Sequence, residues 1–234
     1  MMDFEQKLHP DETAVLQMLG GAPPGAQEAK QLARAMADMA EAARPRWTWR
    51  CLGLDWPPAL REAGPVLREA ALSLPGRDIA AHLAGCGGCI LLAVTLGQPA
   101  EQLVRTAEAA DMARAVMLDA AGSALVEQYT DLAEDDLRRQ ASDKALYLTS
   151  RFSPGYGDLP LALQSNVLRL LNAQRAIGLT VSDSGIMLPR KSITALLGLS
   201  SKPVTGHLAG CANCTIKSRC QLHQEGKYCG KSDL

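Results

Sequence analysis

The chain has 234 residues and a formal net charge of −1, which gives no electrostatic reason to expect nucleic acid or an anionic membrane as a partner. Apolar residues make up 47% and aromatic residues 4%, which is typical of a globular protein with an aliphatic core. There is no apolar run of about 18 residues and no basic, apolar signal peptide. We therefore expect a cytoplasmic protein outside the membrane, whose seven cysteines are metal ligands or buried thiols rather than disulfides.

The first half of the chain alternates between helical and strand patterns. Asp11 precedes a helical run as an N-cap would, and the apolar residues of 26–43 recur at helical spacing. In order, we predict a helix over 11–19, a helix over 26–43, a strand over 46–54, a segment over 66–74 that fits either helix or strand, a short helix over 75–83 and a fully buried strand over 89–97.

The second half begins with a long helical region and ends in short strand patterns. Helical spacing continues from Pro99 to about Ser142, with a predicted break near Asp111. The patterns then predict a strand over 145–150, a loop over 151–160, an amphipathic helix over 161–176 and three short strand-like runs that end near residue 200. Because no regular alternation of strand and helix is present, we predict an α+β fold with a twisted, mostly antiparallel sheet and long helices.

Beyond about Lys202 the composition changes, and we place a domain boundary there. Residues 1–204 form the predicted main domain, and residues 205–234 form a tail with too few aliphatic side chains to order itself alone. A metal would supply the missing stabilisation. The tail contains the predicted metal ligands Cys211, Cys214, Cys220 and Cys229.

The spacing of these four cysteines does not choose between zinc and an iron–sulfur cluster. His207 or His223 could replace one of the cysteines as a ligand. Structural or redox-active thiols, and a disordered tail, are the alternatives to a metal site.

Two octapeptides in the chain are almost identical, HLAGCGGC at 82–89 and HLAGCANC at 207–214. We interpret the first as a helix-ending turn before a buried strand, with its thiols acting as small apolar groups. A metal site shared with the tail, or a redox pair, are the alternatives. A histidine that binds cobalt in cobalamin proteins stands in the signature Asp-x-His-x-x-Gly, where the acid orients the histidine. Ala80 and Thr205 stand at the position of that acid in the two octapeptides, so we do not predict cobalamin ligation by these histidines.

The segment RFSPGYGD, residues 151–158, has the composition of a ligand-binding loop. Arg151 offers a planar fork for a carboxylate, and the glycines allow a backbone to approach a ligand closely. Tyr156 adds a ring face and a hydroxyl group. Each residue also has a plain structural interpretation, as an ion pair, a core edge or a turn.

This loop and the run IGLTVSDSGIMLPRKSITALLGL after it resemble the activation domain of cobalamin-dependent methionine synthase. The upstream HLAGC turn, the TLG end of a strand and a helix of the form D-A-x-G-S-x-x-x-E are similar to short, free-standing members of that family. The resemblance covers roughly residues 75–200. The matching positions of the downstream run are Thr180, Ser182, Met187, Pro189 and Ser192.

The resemblance implies a site for S-adenosylmethionine, which such a domain presents to cobalamin during reductive reactivation. It implies that Arg151 pairs with the ligand carboxylate, while the backbone at Ser153 and Gly155 holds the adenosine with Tyr156 nearby. Glu127 would match an acidic residue of the same groove, where a carboxylate suits a ligand bearing a sulfonium and an ammonium group.

The resemblance does not extend to the homocysteine, folate and cobalamin modules of the full enzyme. We therefore expect an accessory component rather than a complete methyltransferase. It would act in trans on a cobalamin-bearing methionine synthase or another corrinoid protein. The electron would come from a cluster in the tail or from an electron donor that is a further partner. The alternatives are a metal-stabilised docking module for a corrinoid protein that has no small-molecule site, and a redox-active thiol protein, which would need an exposed cysteine of low pKa.

Overall fold

The computed structural model describes residues 2–4, 7–57 and 64–204, and it has an antiparallel sheet with helices on both faces. The strands of this sheet are β1 (Met2–Asp3), β2 (Arg46–Asp55), β3 (Val66–Leu67), β4 (Leu72–Ser73), β5 (Gly88–Thr95), β6 (Tyr147–Leu148) and β9 (Ser192–Ser200), while β7 (Thr180–Val181) and β8 (Met187–Leu188) form a separate hairpin. The helices are α1 (Glu12–Met18), α2 (Ala26–Ala42), α3 (Arg77–His82), α4 (Gln98–Ala110), α5 (Met112–Ser142), α6 (Gln164–Leu170) and α7 (Ala173–Ile177). The predicted α+β class is confirmed.

The strands of the main sheet follow the order β4-β3-β2-β5-β9-β6, and β1 pairs with the start of β2. β5 lies between β2 and β9, and all eight of its residues are buried. A strand covered on both faces reads as a continuous apolar run, which explains the pattern from which this strand was predicted. β9 is the last strand of the described residues, and it lies inside the sheet because it pairs with β5 along its length and with β6 on its other side.

Each face of the sheet carries its own apolar core. On one face, α1, α2, α4 and α5 pack over Leu92 and Val94 of β5. On the other, α3, α6 and α7 pack over Leu91 and Ala93. The 31-residue helix α5 is the longest element described, and it lies beside the end of β6 from which the predicted ligand loop departs.

Two predicted elements differ from the structure, and the structure resolves a third that the sequence left open between helix and strand. The predicted helix over 161–176 is wrong as one piece: a 3₁₀ turn at Leu161–Leu163 precedes α6, and Asn172 adopts a left-handed conformation (φ 50°) that ends α6 before α7 begins. The ambiguous segment over 66–74 is the β3–β4 hairpin around a 3₁₀ turn. The predicted strand over 145–150 is only the two residues of β6, and Arg138 donates hydrogen bonds to the carbonyls of Leu148 and Thr149.

None of the helices within the described ranges combines the length and the apolar character that crossing a bilayer requires. The division of the chain at residue 204 stays a prediction, because the tail of residues 205–234 lies outside the described residues.

Candidate functional site

The loop of residues 151–158 is attached to the centre of the sheet by the backbone of Phe152. Its N–H donates to the carbonyl of Leu196 in β9 over 3.0 Å, and it accepts from the Leu196 N–H over 2.7 Å. Successive side chains of an extended segment point to opposite sides. The Phe152 ring therefore enters the core beneath α6, while Arg151 reaches the other side and meets α5.

Arg151 binds a row of three carboxylates on α5. Its Nη2 lies 3.2 Å from Glu127 and 3.1 Å from Asp131, and its Nε lies 3.3 Å from Glu134. The spacing of four and then three residues places these acids on one stripe of the helix. Arg138 pairs with Glu134 from the same helix. Three carboxylates against two guanidinium groups give the cluster a formal charge of −1, which suits a cationic ligand.

One nitrogen of Arg151 has no hydrogen-bond partner among the described residues. Nη1 is buried and makes no hydrogen bond within the part of the chain that the structure describes. A buried donor left without an acceptor is costly, on the order of 1–3 kcal/mol. The guanidinium therefore has binding capacity that the protein does not use, and an acceptor from a ligand or water would satisfy it.

Glu127 is the most exposed of the three carboxylates, with 53% of its side-chain surface accessible against 29% for Asp131 and 14% for Glu134. Partial desolvation, together with the neighbouring acids, raises the pKa of Glu127 above its ordinary value, while the charge of Arg151 opposes the rise. The predicted site residues Arg151 and Glu127 are thus in direct contact. Glu127 is the partner that Arg151 can release with least disruption.

Ser153 and Gly155 fix the middle of the loop. The Ser153 hydroxyl donates to the carbonyl of Thr194 in β9 over 2.7 Å. Gly155 has a φ of +93°, which a side chain would strain, and its N–H donates to the carbonyl of Leu159 over 2.9 Å. The Ser153 side chain thus anchors the loop, and the predicted contact of its backbone with an adenosine stays a prediction.

Tyr156 stands at the outer edge of the loop, with 58% of its surface exposed. Its ring meets the ring of Phe152 edge-on, with 6.4 Å between the centroids. Leu161, Ile186 and Leu188 are also exposed apolar residues, and Leu161 lies against Gly155. The ring is therefore free to cover a ligand bound at the loop.

The helix motif D-A-x-G-S-x-x-x-E has a structural explanation. Asp119 and the hydroxyl of Ser123 hold the Lys191 ammonium at 2.7 and 2.8 Å, and Gly122 leaves room for the Lys191 stem. Glu127, at the end of the motif, meets Arg151. Sequence reasoning did not identify Asp131 and Glu134, although their spacing from Glu127 on a predicted helix was a readable signal.

The second half of the loop is held by α3. The Asp158 carboxylate accepts hydrogen bonds from the backbone N–H groups of Arg77 and Asp78 over 2.6 and 3.1 Å. Gly157 packs so closely on Asp78 that a β-carbon there would overlap its carboxylate. Gly157 is thus required for contact with α3, whereas the sequence suggested that its role was to let a ligand approach.

The first octapeptide forms the predicted helix-to-strand corner. His82 ends α3, where it is buried and its Nε2 lies 2.9 Å from the Ser150 carbonyl oxygen. Cys86 and Cys89 are buried free thiols, and β5 starts between them. Burial raises the pKa of Cys86 to about 11 and raises that of Cys89 further. These thiols are therefore neutral packing groups near neutral pH, which does not favour the redox-pair alternative.

The third cysteine of the described chain also lacks a low pKa. Cys51 is exposed, yet partial desolvation and the nearby Glu69 raise its pKa. It lines a cavity of about 1030 Å³ at the end of the sheet, together with Trp56, Cys86 and Ser200. This sheet-end cavity is formed by β2, β5 and β9 at the corner, and Arg151 is not among its lining residues.

The predicted ligands Cys211, Cys214, Cys220 and Cys229 lie outside the described residues, as does the second octapeptide. Among residues 2–4, 7–57 and 64–204, no group of three or more His, Cys, Asp or Glu side chains could hold a metal ion. The tail metal site stays a prediction.

A family model and a solved structure both match this chain. No curated protein matches the chain in a sequence search. A solved structure described as the MetH reactivation domain bound to AdoHcy superposes with a TM-score of 0.60 and 15% identity, covering 94% of this chain and 82% of that chain. The family described as the activation domain of vitamin B12 dependent methionine synthase matches residues 80–204, more than half of the 234 residues and all of the Arg151 loop. The chain therefore belongs to the family of the vitamin B12-dependent methionine synthase activation domain.

Proposed function

We propose that this protein binds S-adenosylmethionine at the loop of residues 151–158 and presents it for the reductive reactivation of a cobalamin-bearing protein. The observation that carries the proposal is the contact of Arg151 with Glu127 beside an unpartnered guanidinium nitrogen, in the loop that the family match includes. The structurally similar reactivation domain, solved with AdoHcy, supports a ligand of this class.

The ion pair of Arg151 and Glu127 is suited to exchange partners with a zwitterionic ligand. The ligand carboxylate would take the place of Glu127 on the Arg151 fork, and the freed Glu127 would pair with the ligand ammonium. Asp131 and Glu134 keep Arg151 oriented during this exchange. The cluster's formal charge of −1 favours a ligand that also carries a sulfonium.

The protein's contribution to reactivation is binding, orientation and electrostatics. S-adenosylmethionine supplies the methyl group, and an electron must come from a separate donor. The Ser153 hydroxyl holds the loop backbone against β9, while Gly155 closes the loop on Leu159. The partner is a cobalamin-dependent methionine synthase or a related corrinoid protein on which this chain acts in trans.

The tail of residues 205–234 is included in this proposal as a zinc or iron–sulfur site with Cys211, Cys214, Cys220 and Cys229 as ligands. An iron–sulfur cluster there would supply the electron that reactivation needs. Metal analysis of protein purified without oxygen tests this, with Cys214→Ser as the variant and Cys51→Ser as the control. Absence of both zinc and iron from the unaltered chain would rule out the tail site.

Calorimetric titration with S-adenosylmethionine tests the ligand site. We expect binding to the unaltered chain, loss of at least about tenfold in affinity for Arg151→Ala, and a smaller loss for Arg151→Lys, which keeps the charge but not the planar fork. Arg139→Ala is the matched control, because Arg139 is an exposed arginine of α5 that pairs with Asp136, three residues before it. No binding by the unaltered chain would overturn the proposal and favour a docking module without a small-molecule site.

A further inference from the structure

We infer that Asp158 is a positioning residue for the ligand loop, acting through α3 rather than by touching the ligand. The inference rests on the proposed function, because the loop that Asp158 holds is the one proposed to bind S-adenosylmethionine. The role of Asp158 follows from contacts between two segments that are 80 residues apart in the chain.

The loop has two halves with different anchors. The first half is bound to the sheet by the two backbone hydrogen bonds of Phe152 and by the Ser153 hydroxyl. The second half contains Gly155 and Gly157, both with positive φ, and its backbone hydrogen bonds in the structure stay within residues 153–159. Such a segment keeps a single conformation only if something outside the loop holds it.

Asp158 supplies one such contact, next to Leu159, which is buried in the core beside α3. Its two carboxylate oxygens accept from the N–H groups of Arg77 and Asp78 in the first turn of α3. The N-cap residue of α3 is Gly76, which has no side chain to do this. The carboxylate thus caps a helix distant in sequence, where negative charge is also favoured by the helix dipole.

Each of the two segments has a glycine at the point where the other segment approaches it. A β-carbon on Gly76 would overlap the Asp158 carboxylate, and a β-carbon on Gly157 would overlap Asp78. Both segments are therefore shaped to let the other approach. α3 itself is fixed in the core by Ile79 and Leu83, so it offers the loop a rigid support.

Loss of this contact is expected to leave the first half of the loop in place and to free Gly155, Tyr156 and Gly157. A ligand would then have to order these residues on binding, which lowers its affinity. For Asp158→Ala we expect S-adenosylmethionine affinity to fall by about tenfold or more. Asp158→Asn keeps one acceptor oxygen but loses the charge, and its loss should be smaller.

The test is calorimetric titration of the full chain well below the melting transition of every variant, combined with amide hydrogen exchange of residues 155–157. Asp111→Ala is the matched control, because Asp111 caps α5 through the N–H of Arg114 and lies 16 residues before Glu127, about 24 Å along the helix. The control should lose comparable stability, with unchanged affinity and unchanged exchange at the loop. Asp158→Ala should weaken binding and raise exchange at residues 155–157.

The outcomes separate this inference from the proposed function. If the unaltered chain binds and Asp158→Ala binds equally well, Asp158 is not a positioning residue and the proposed function stands. If the unaltered chain does not bind, the proposed function falls and this inference falls with it. If Asp158→Ala does not fold, Asp158→Asn decides: full affinity with normal loop exchange would overturn the inference.

Discussion

The ligand loop at 151–158 and the corner at 82–89 lie next to the same sheet but in different environments. Both contain glycines beside a strand of the central sheet, and both carry side chains capable of binding chemistry. In the loop, Arg151 is partly exposed, charged and short of one partner. In the corner, Cys86 and Cys89 are buried and stay neutral because burial raises their pKa values. The difference shows that burial, more than residue type, separates a candidate site from a packing element.

The two regions are nevertheless joined by α3. Its first turn meets Asp158 of the loop, and its last residue, His82, starts the corner. His82 also contacts the carbonyl of Ser150, immediately before Arg151. The corner therefore supports the loop through α3. We expect substitutions in the buried corner to lower the free energy of unfolding. We expect substitutions in the loop to lower the affinity for the ligand.

The largest expected effect comes from removing a buried side chain from the corner. Leu83 is fully buried there, and Leu83→Ala should cost about 2–5 kcal/mol in the free energy of unfolding because it leaves a cavity. Urea denaturation measures this loss. Ala84→Ser, at the exposed next position, is the control and should change stability by less than about 0.5 kcal/mol. A loss below about 0.5 kcal/mol in Leu83→Ala would mean that Leu83 does not fill the corner.

A smaller effect is expected from overfilling the same corner. A β-carbon on Gly198 would lie 2.5 Å from the Cys86 sulfur, so Gly198→Ala should cost about 1–3 kcal/mol. Cys86→Ala removes that sulfur, and the double variant should be more stable than the sum of the two single changes predicts. Denaturation of all four proteins measures the coupling. Exact additivity would mean that Cys86 does not fill this space.

The smallest effect is a shift in the pH dependence of binding at the loop. Because desolvation raises the pKa of Glu127, this carboxylate takes up a proton at a higher pH than an ordinary glutamate does. If ionised Glu127 pairs with the ligand ammonium, affinity should fall as the pH decreases through this raised pKa. Titrations over a pH series measure the fall, and Glu127→Gln should bind more weakly at neutral pH and lose this dependence. An identical pH profile in both proteins would exclude Glu127 from the site.

Much of the fold was predictable because its signals are local. The buried run of β5, the Asp11 cap of α1 and the break between α4 and α5 at Asp111 are all encoded by neighbouring residues. The order of strands was not predictable, since the pairing of β5 with β9 joins segments about a hundred residues apart. Asn172 was missed because its left-handed conformation interrupts a pattern that is otherwise helical.

The candidate site was predictable in part for the same reason. The composition of the loop identified Arg151, and a family resemblance pointed to Glu127. Their contact with Asp131 and Glu134, and the hold of α3 on Asp158, depend on how distant segments pack. A single sequence does not encode such packing in any local pattern.

A crystal structure of the full chain with S-adenosylhomocysteine tests the central claim most directly. We predict that the ligand carboxylate lies within hydrogen-bonding distance of Arg151, about 2.7–3.2 Å, and that the ligand ammonium faces a Glu127 side chain that has left its arginine partner. The contrary result would be an unchanged ion pair of Arg151 and Glu127, with the ligand absent or bound in the sheet-end cavity.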